Sequence, residues 1–139
     1  MIFLGSAKYN PQLNDLPAGQ TLVMAPGEIR NLKPGPGEPE VLRGNWPPGS
    51  PYLAEDYVLI SRVPGPHGQG EMLILAASST EGTLAAVQCV TEPARAADLV
   101  RRIRDSSGRL PAHYEVVIHA RFKAMVPVEM AYQFHHVLD

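Results

Sequence analysis

The hydrophobic pattern is clearest in the middle of the chain. Residues 72–77, Met-Leu-Ile-Leu-Ala-Ala, form an unbroken apolar run, which is typical of a central strand covered on both faces. Residues 78–80 interrupt this run with hydroxyl side chains, and the chain beyond them follows a helical period. Ser78 and Glu81 have the spacing of a capping box, in which each side chain satisfies an amide of the first turn. The pattern predicts a strand, a short polar turn and a helix over residues 80–90.

A second helix is predicted over residues 93–106, directly after the first. Glu92 and Pro93 have the order of a cap followed by a proline in the first turn. Its apolar positions recur at the spacing of one helical face, and its arginines fall on the other side, where we interpret them as a solvated surface. The inward stripe consists of Ala96, Leu99, Val100 and Ile103.

Further strands are predicted over residues 2–4, 21–25 and 56–63. The connection between residues 63 and 72 is short, which requires antiparallel neighbours. At the C-terminus, two alternating segments predict a hairpin with a five-residue loop over residues 123–127. The pairs expected in this register are Phe122 with Val128, Ile118 with Tyr132, Arg121 with Glu129, and Glu115 with His135.

Together these elements predict an α/β fold. We expect a three-layer, Rossmann-like mixed sheet of about six strands, completed by the antiparallel C-terminal hairpin. Residues 1–139 are long enough for one domain, and an apolar strand that begins at residue 2 indicates a module excised from a longer protein. Residues 31–54 are a proline- and glycine-rich loop without a period. We expect Trp46 to pin this loop to the body of the domain; the alternative is an exposed lid or a partner contact.

Composition excludes several classes of function. A net charge of −2 gives no electrostatic footprint for nucleic acid. The single cysteine, Cys89, excludes an internal disulfide and a thiolate zinc cluster, and we expect it to be buried in a helix. No apolar run approaches the roughly 20 residues that cross a bilayer, and the N-terminus does not have the pattern of a signal peptide. We therefore expect a cytoplasmic protein without membrane contact.

The candidate ligand site lies at two strand-to-helix turns, residues 5–8 and 78–83. If the two preceding strands are parallel, both turns open at the same sheet edge and a ligand can lie between them. The Gly-x-Gly-x-x-Gly and Walker patterns are absent, and ordinary helix capping also explains Ser78 and Glu81. The predicted ligand-binding residues are Gly5, Ser6, Lys8, Ser78, Ser79, Thr80, Glu81, Gly82 and Thr83.

Other chemistry has less support. Alternation places His113, Glu115 and His119 on one strand face with His135 across from them, and two histidines with a glutamate can bind zinc. We interpret this face as the solvated outer face of the hairpin, so we predict no metal and no cofactor. There is no Gly-x-Ser-x-Gly elbow and no visible pair of carboxylates, so we predict no catalytic residues. Whether the protein is an enzyme stays open, with the balance against it.

Several short segments carry a resemblance. In order, they are Gly5-Ser6, Asn10-Pro11, Pro26-Gly27-Glu28, residues 56–62 and residues 75–86. This order resembles a poorly characterised bacterial α/β domain that is attached behind DNA-binding or other signalling segments in multidomain proteins. The resemblance spans most of the chain. It implies a regulatory or ligand-sensing role and transfers no catalytic residues.

Three functional hypotheses follow. The first is a small-ligand or nucleotide-sensing regulatory domain with its ligand at the strand-to-helix turns. The alternative is a dimerisation or protein-interaction module that uses the hairpin edge, as a homodimer, or the Trp46 loop. The least favoured is a hydrolase or transferase with Glu81 as the acid/base.

Overall fold

The structure, a computed structural model, describes residues 2–5 and 20–138, apart from the side chains of Phe3 and Pro66. Within these ranges the strands are β1 (Ile2–Gly5), β2 (Leu22–Ala25), β3 (Glu28–Asn31), β4 (Val41–Arg43), β5 (Glu55–Pro64), β6 (Glu71–Ala76), β7 (His113–Lys123) and β8 (Val126–Leu138). The α-helices are α1 (Thr80–Thr91) and α2 (Pro93–Ile103). In this part of the chain, no helix is long and apolar enough to span a bilayer.

Five strands form one mixed sheet in the order β1-β6-β5-β7-β8. β1 runs parallel to β6, with Gly5 opposite Ala76, and the other neighbours are antiparallel. The prediction that a short connection joins antiparallel neighbours is therefore confirmed for β5 and β6. Because β1 and β6 are parallel and adjacent, their carboxyl ends lie at the same edge of the sheet.

The remaining strands form a second, antiparallel sheet in the order β2-β3-β4, which the sequence analysis missed. Pro26 and Gly27 join β2 to β3 as a tight turn, with Ala25 opposite Glu28. Gly27 has a φ of 73°, which glycine adopts without steric cost. β4 lies inside the region predicted to be a structureless loop, and its three residues are too few to show a period.

The predicted Rossmann-like α/β class is wrong. Of the residues that the structure describes, strands hold 45% and helices 21%, so this part of the chain is mainly β. Both helices pack on one face of the five-stranded sheet, where Leu99 and Ile103 join its core. The small sheet packs on the other face through Leu22, Ile29 and Leu42. A Rossmann-like fold places helices on both faces because each parallel crossover carries one, and here β1 and β6 are the only parallel pair among the described strands.

The small sheet is fixed to the large one by a buried carboxylate. Glu115 on β7 is 0% exposed. It accepts hydrogen bonds from the Thr21 amide at 2.9 Å, the Thr21 hydroxyl at 2.7 Å and the Leu22 amide at 3.1 Å. The expectation that Glu115 lies on a solvated outer face is therefore wrong, because the small sheet covers that face. An uncompensated buried charge costs several kcal/mol, so these three hydrogen bonds are what makes Glu115 tolerable there.

The C-terminal hairpin has the predicted register only at its centre. Ile118 lies opposite Tyr132 and Arg121 lies opposite Glu129, as expected. The predicted five-residue loop is wrong, since β7 and β8 are joined by a two-residue turn. Both turn residues, Ala124 and Met125, have positive φ, of 48° and 71°. Such a turn matches the right-handed twist of the two strands.

β8 contains two register shifts, one on each side of the central pairs. Because of them, the hairpin combines a two-residue turn with the register predicted for its centre. Val128 and Gln133 are the extra residues, so Phe122 pairs with Pro127 instead of Val128, and Glu115 pairs with His136 instead of His135. The shift at Gln133 also turns Phe134 toward the small sheet, whereas the alternation placed it on the helix side. The same change of face carries His136 into the space between the two sheets.

We expect Glu115→Gln to destabilise the protein by about 2–4 kcal/mol. The glutamine side chain replaces one accepting oxygen by an NH2 group, which would face an N–H or O–H group of Thr21 or Leu22 and could not accept from it. The exposed Glu129 of the same hairpin provides a matched control, and Glu129→Gln should cost less than about 1 kcal/mol. Urea unfolding measures both. Equal midpoints for the two variants would contradict the anchoring role of Glu115.

Candidate ligand-binding site

Ser79 caps α1, one residue later than predicted. Its Oγ accepts a hydrogen bond from the Gly82 amide at 3.0 Å, and its backbone is extended. Ser78, the predicted cap, is exposed. Because the residue three positions after the cap is Gly82, no side chain reaches back and the predicted capping box is not formed. The amides of Thr80 and Glu81, which precede Gly82 in the first turn, have no partner inside the helix.

A buried carboxylate lies beside this helix start. Asp56 on β5 is 4% exposed. Its Oδ2 accepts the Ser79 hydroxyl at 2.7 Å, and its Oδ1 accepts the Tyr57 amide at 2.9 Å. Burial raises the pKa of Asp56 by more than these two hydrogen bonds lower it. The positive end of α1 favours the ionised form of Asp56. Asp56 therefore occupies the position in which other helix N-termini bind an external anion.

Two glycines make room for this carboxylate. A Cβ at Gly82 would lie 2.9 Å from Asp56 Oδ2 and 2.7 Å from the Cβ of Ala77. A Cβ at Gly44 would lie 2.9 Å from Asp56 Oδ1. The sequence analysis missed Asp56 and Gly44 because both are far from the turn in sequence. The only local signal was a glycine in the first turn of a helix, where glycine is otherwise unfavourable.

The carboxyl ends of β1 and β6 and the start of α1 surround an open depression of about 200 Å³, which we call the edge depression. It brings together five of the predicted ligand-binding residues. Glu81 and Gly82 belong to the same helical turn but do not line it, and Ser6 and Lys8 lie outside the described residues. The residues that line the edge depression are Leu4, Gly5, Ala77, Ser78, Ser79, Thr80 and Thr83.

The hydroxyl groups of the edge depression are not equivalent. Ser79 donates its proton to Asp56, and Thr83 donates its proton to the Ser79 carbonyl at 3.1 Å. A hydroxyl has a single proton, so these two groups can offer a ligand only lone pairs. None of the described residues that line the depression is charged. The walls therefore suit a neutral ligand that brings its own hydroxyl or amino donors.

A second cavity of about 250 Å³ lies between α2 and the hairpin. Cys89 and Leu99 contribute to its apolar floor, and Arg95, Asp98 and Tyr132 contribute to its rim. Cys89 is 5% exposed, which confirms that it is a buried helical residue. Burial raises the pKa of its thiol to about 11, so it is not poised as a nucleophile.

The histidines considered as metal ligands have separate partners, two of them carboxylates and one a tyrosine hydroxyl. His113 Nε2 lies 2.9 Å from Glu71, and His119 Nε2 lies 3.3 Å from Glu55. His135 Nδ1 lies 2.6 Å from the Tyr132 hydroxyl. Across residues 2–5 and 20–138, no three histidine, cysteine or acidic side chains are grouped so that they could hold a metal ion.

Trp46 was expected to pin its loop to the body of the domain, and the structure shows a different arrangement. Trp46 is 58% exposed, and its Nε1 donates to the Ser50 carbonyl at 2.7 Å, within its own loop. Trp46 therefore does not pin the loop to the body of the domain. The alternative, an exposed lid or a partner contact, stays a prediction.

No protein-family model, curated protein or solved structure shows a significant match to this chain. The resemblance to bacterial regulatory modules stays a prediction, and function has to be inferred from the geometry of the site.

We expect Ser79→Ala to destabilise the protein by about 1–2 kcal/mol, because it removes the cap of α1 and one partner of Asp56. Ser78→Ala is the matched control, and its effect should stay within about 0.5 kcal/mol because Ser78 is exposed. Chemical unfolding measures both. A larger loss for Ser78→Ala would restore the originally predicted cap.

Gly82→Ala tests the packing around Asp56. Alanine is more favourable than glycine in an exposed helix by about 1 kcal/mol, so helix propensity alone predicts stabilisation. Here the added methyl group would overlap Ala77 and Asp56, and we expect a loss of about 1–3 kcal/mol. A rise in the free energy of unfolding would contradict this packing.

Proposed function

We propose that this domain is a small-ligand-sensing module that binds its ligand in the edge depression. The observation that supports this most directly is that β1 and β6 are parallel neighbours whose carboxyl ends meet the start of α1. Ligands of open sheets with a parallel pair bind at this kind of position, outside the carboxyl ends of the strands. A regulatory role is part of the proposal because the described lining of the edge depression offers hydroxyl groups for binding.

Charge and hydrogen bonding favour a particular class of ligand. Asp56 already compensates the positive end of α1, and Glu81 adds a second carboxylate in its first turn. A phosphate would meet two negative charges, which oppose its attraction to the amides of the first turn. If the ligand is a nucleotide, its ribose or base therefore lies in the edge depression and its phosphate lies outside.

A dimerisation or interaction module is the second candidate. The outer edge of β8 has exposed apolar residues, Val126, Val128 and Val137, each more than half exposed. However, Pro127 and the two irregularities of β8 interrupt the pattern that a pairing strand would need. We rank homodimerisation second for this reason. The hydrolase or transferase hypothesis with Glu81 as acid/base stays a prediction.

The test compares neutral and phosphorylated members of matched ligand pairs, such as adenosine with AMP and ribose with ribose 5-phosphate. A ligand at about 100 times its dissociation constant adds about 2.7 kcal/mol, which raises the melting temperature of a domain of this size by roughly 10 °C. We expect a shift for the neutral member of a pair. Ser78→Tyr should abolish it by filling the edge depression, whereas the equally exposed Ser106→Tyr should not.

The variant Asp56→Asn tests the preference for neutral ligands independently of where the ligand binds. The amide keeps an acceptor for the Tyr57 amide and removes the internal negative charge, so phosphorylated ligands should gain about tenfold in relative affinity. Preference for the phosphorylated member in the wild type would contradict the ligand class but not the site. A shift that survives Ser78→Tyr would contradict the site.

A further inference from the structure

A chain of hydrogen bonds crosses the space between the two sheets through His136. Its Nε2 lies 2.6 Å from Glu38 Oε1 in the loop between β3 and β4. Its Nδ1 lies 2.6 Å from the Thr21 hydroxyl, which in turn donates to Glu115 at 2.7 Å. We call these four residues, Glu38, His136, Thr21 and Glu115, the interlayer clasp. It connects one end of the small sheet, where β2 begins and β3 ends, to the hairpin of the large one.

The donors and acceptors of the interlayer clasp determine how many protons His136 carries. The Glu115 carboxylate accepts from the Thr21 and Leu22 amides and has no proton to donate, so the single proton of the Thr21 hydroxyl, 2.7 Å away, points to it. The Thr21 oxygen must then accept from Nδ1 of His136. The Glu38 carboxylate can only accept, so Nε2 must also donate. Both ring nitrogens are donors, which is the imidazolium form.

The loop that carries Glu38 is itself organised around this carboxylate. Glu38 Oε1 accepts the Asn31 side-chain amide at 3.0 Å and the Gly35 backbone amide at 3.0 Å. Asn31 ends β3, and its own backbone amide donates to the Glu40 carbonyl at 2.8 Å. A change at His136 is therefore transmitted to the connection between β3 and β4.

We propose that the interlayer clasp is a proton-controlled latch: the small sheet is held against the large one while His136 carries two protons, and it loosens when His136 loses one. Loss of a proton leaves a bare ring nitrogen facing either the Glu38 carboxylate or the Thr21 oxygen. Beside Glu38, a contact between two acceptors replaces a charge-assisted hydrogen bond. Beside Thr21, the hydroxyl has to turn its proton from Glu115 to the ring, and the contact between two acceptors then lies between Thr21 and Glu115. The charged or titratable groups around the ring are Glu38 from the small sheet, Glu115 from β7, and His135 and Tyr132 from β8 itself.

The latch should also loosen at low pH, where Glu38 becomes protonated. Burial alone would raise the pKa of Glu38, but hydrogen bonds from Gly35, His136 and Asn31 outweigh it and lower the pKa. A carboxyl group with a lowered pKa stabilises the folded state above the pKa of the unfolded chain, about 4.3. That contribution is lost as the pH falls through the lowered folded value. The small sheet should thus be held best over an intermediate range of pH and loosen on both sides.

The test follows the ring and the small sheet together in the intact protein. Histidine labelled with nitrogen-15 is titrated by NMR, and amide exchange, corrected for its intrinsic pH dependence, is followed in β2, β3, β5 and β6. We expect both His136 nitrogens to be protonated where the small sheet is protected. Loss of one proton should coincide with at least about tenfold faster exchange in β2 and β3, the size expected for one charge-assisted hydrogen bond, and with no change in β5 and β6.

Variants distinguish the latch from a structural contact. His136→Gln should remove the alkaline change in exchange, and Glu38→Gln should remove the acid change. His113→Gln, which breaks a histidine–glutamate pair at the rim of the large sheet, should leave both. If His136→Gln does not fold, the wild-type titration decides alone. A His136 ring with one proton wherever the small sheet is protected, or a ring that loses its proton without faster exchange, would overturn the proposal.

Discussion

The arrangement of the two sheets depends on the hydrogen bonds that Glu115 accepts at the start of β2. A carboxylate with no exposed surface has to be compensated by the groups beside it, and here these groups are the Thr21 amide, the Thr21 hydroxyl and the Leu22 amide. Apolar contacts between two sheets tolerate small displacements, whereas three hydrogen bonds to one carboxylate do not. Glu115 therefore fixes where the small sheet lies, and the apolar packing of Leu22 beside it follows from that position.

The extra residue Gln133 has consequences beyond its own strand. If Gln133 were paired in a regular ladder, His136 would lie on the helix side of β8 and Glu115 would face His135. With the register shift, Phe134 joins the core beneath the small sheet and His136 reaches both Thr21 and Glu38. The bulge at Gln133 thus exchanges the two faces over the last part of β8, relative to a regular strand. It converts a solvated strand end into the contact between the layers.

Local patterns were sufficient where an element is long and its partners are close in sequence. β6 was predicted from its unbroken apolar run. The stripe of Leu99 and Ile103 on α2 and the centre of the hairpin were predicted because each repeats a period over several residues. α2 nevertheless ends at Ile103, before the predicted residue 106. Of the small sheet, only β2 was predicted, as the strand over residues 21–25, whereas β3 and β4 have four and three residues, too few for a period. Missing the small sheet led to the wrong fold class, since a polar face of β7 was read as facing solvent.

The candidate site shows the same limit in chemical terms. The sequence located the polar turn after β6 and most of the residues around the edge depression, because strand, turn and helix are adjacent along the chain. It could not show that Asp56, which reaches the turn only through the pairing of β5 with β6, supplies a negative charge to the start of α1. That carboxylate makes the start of α1 less attractive to an anionic ligand. An end that would ordinarily attract a phosphate already has an anion beside it, and a ligand meets hydroxyl groups, the first amides of α1 and the apolar side chains of Leu4 and Ala77.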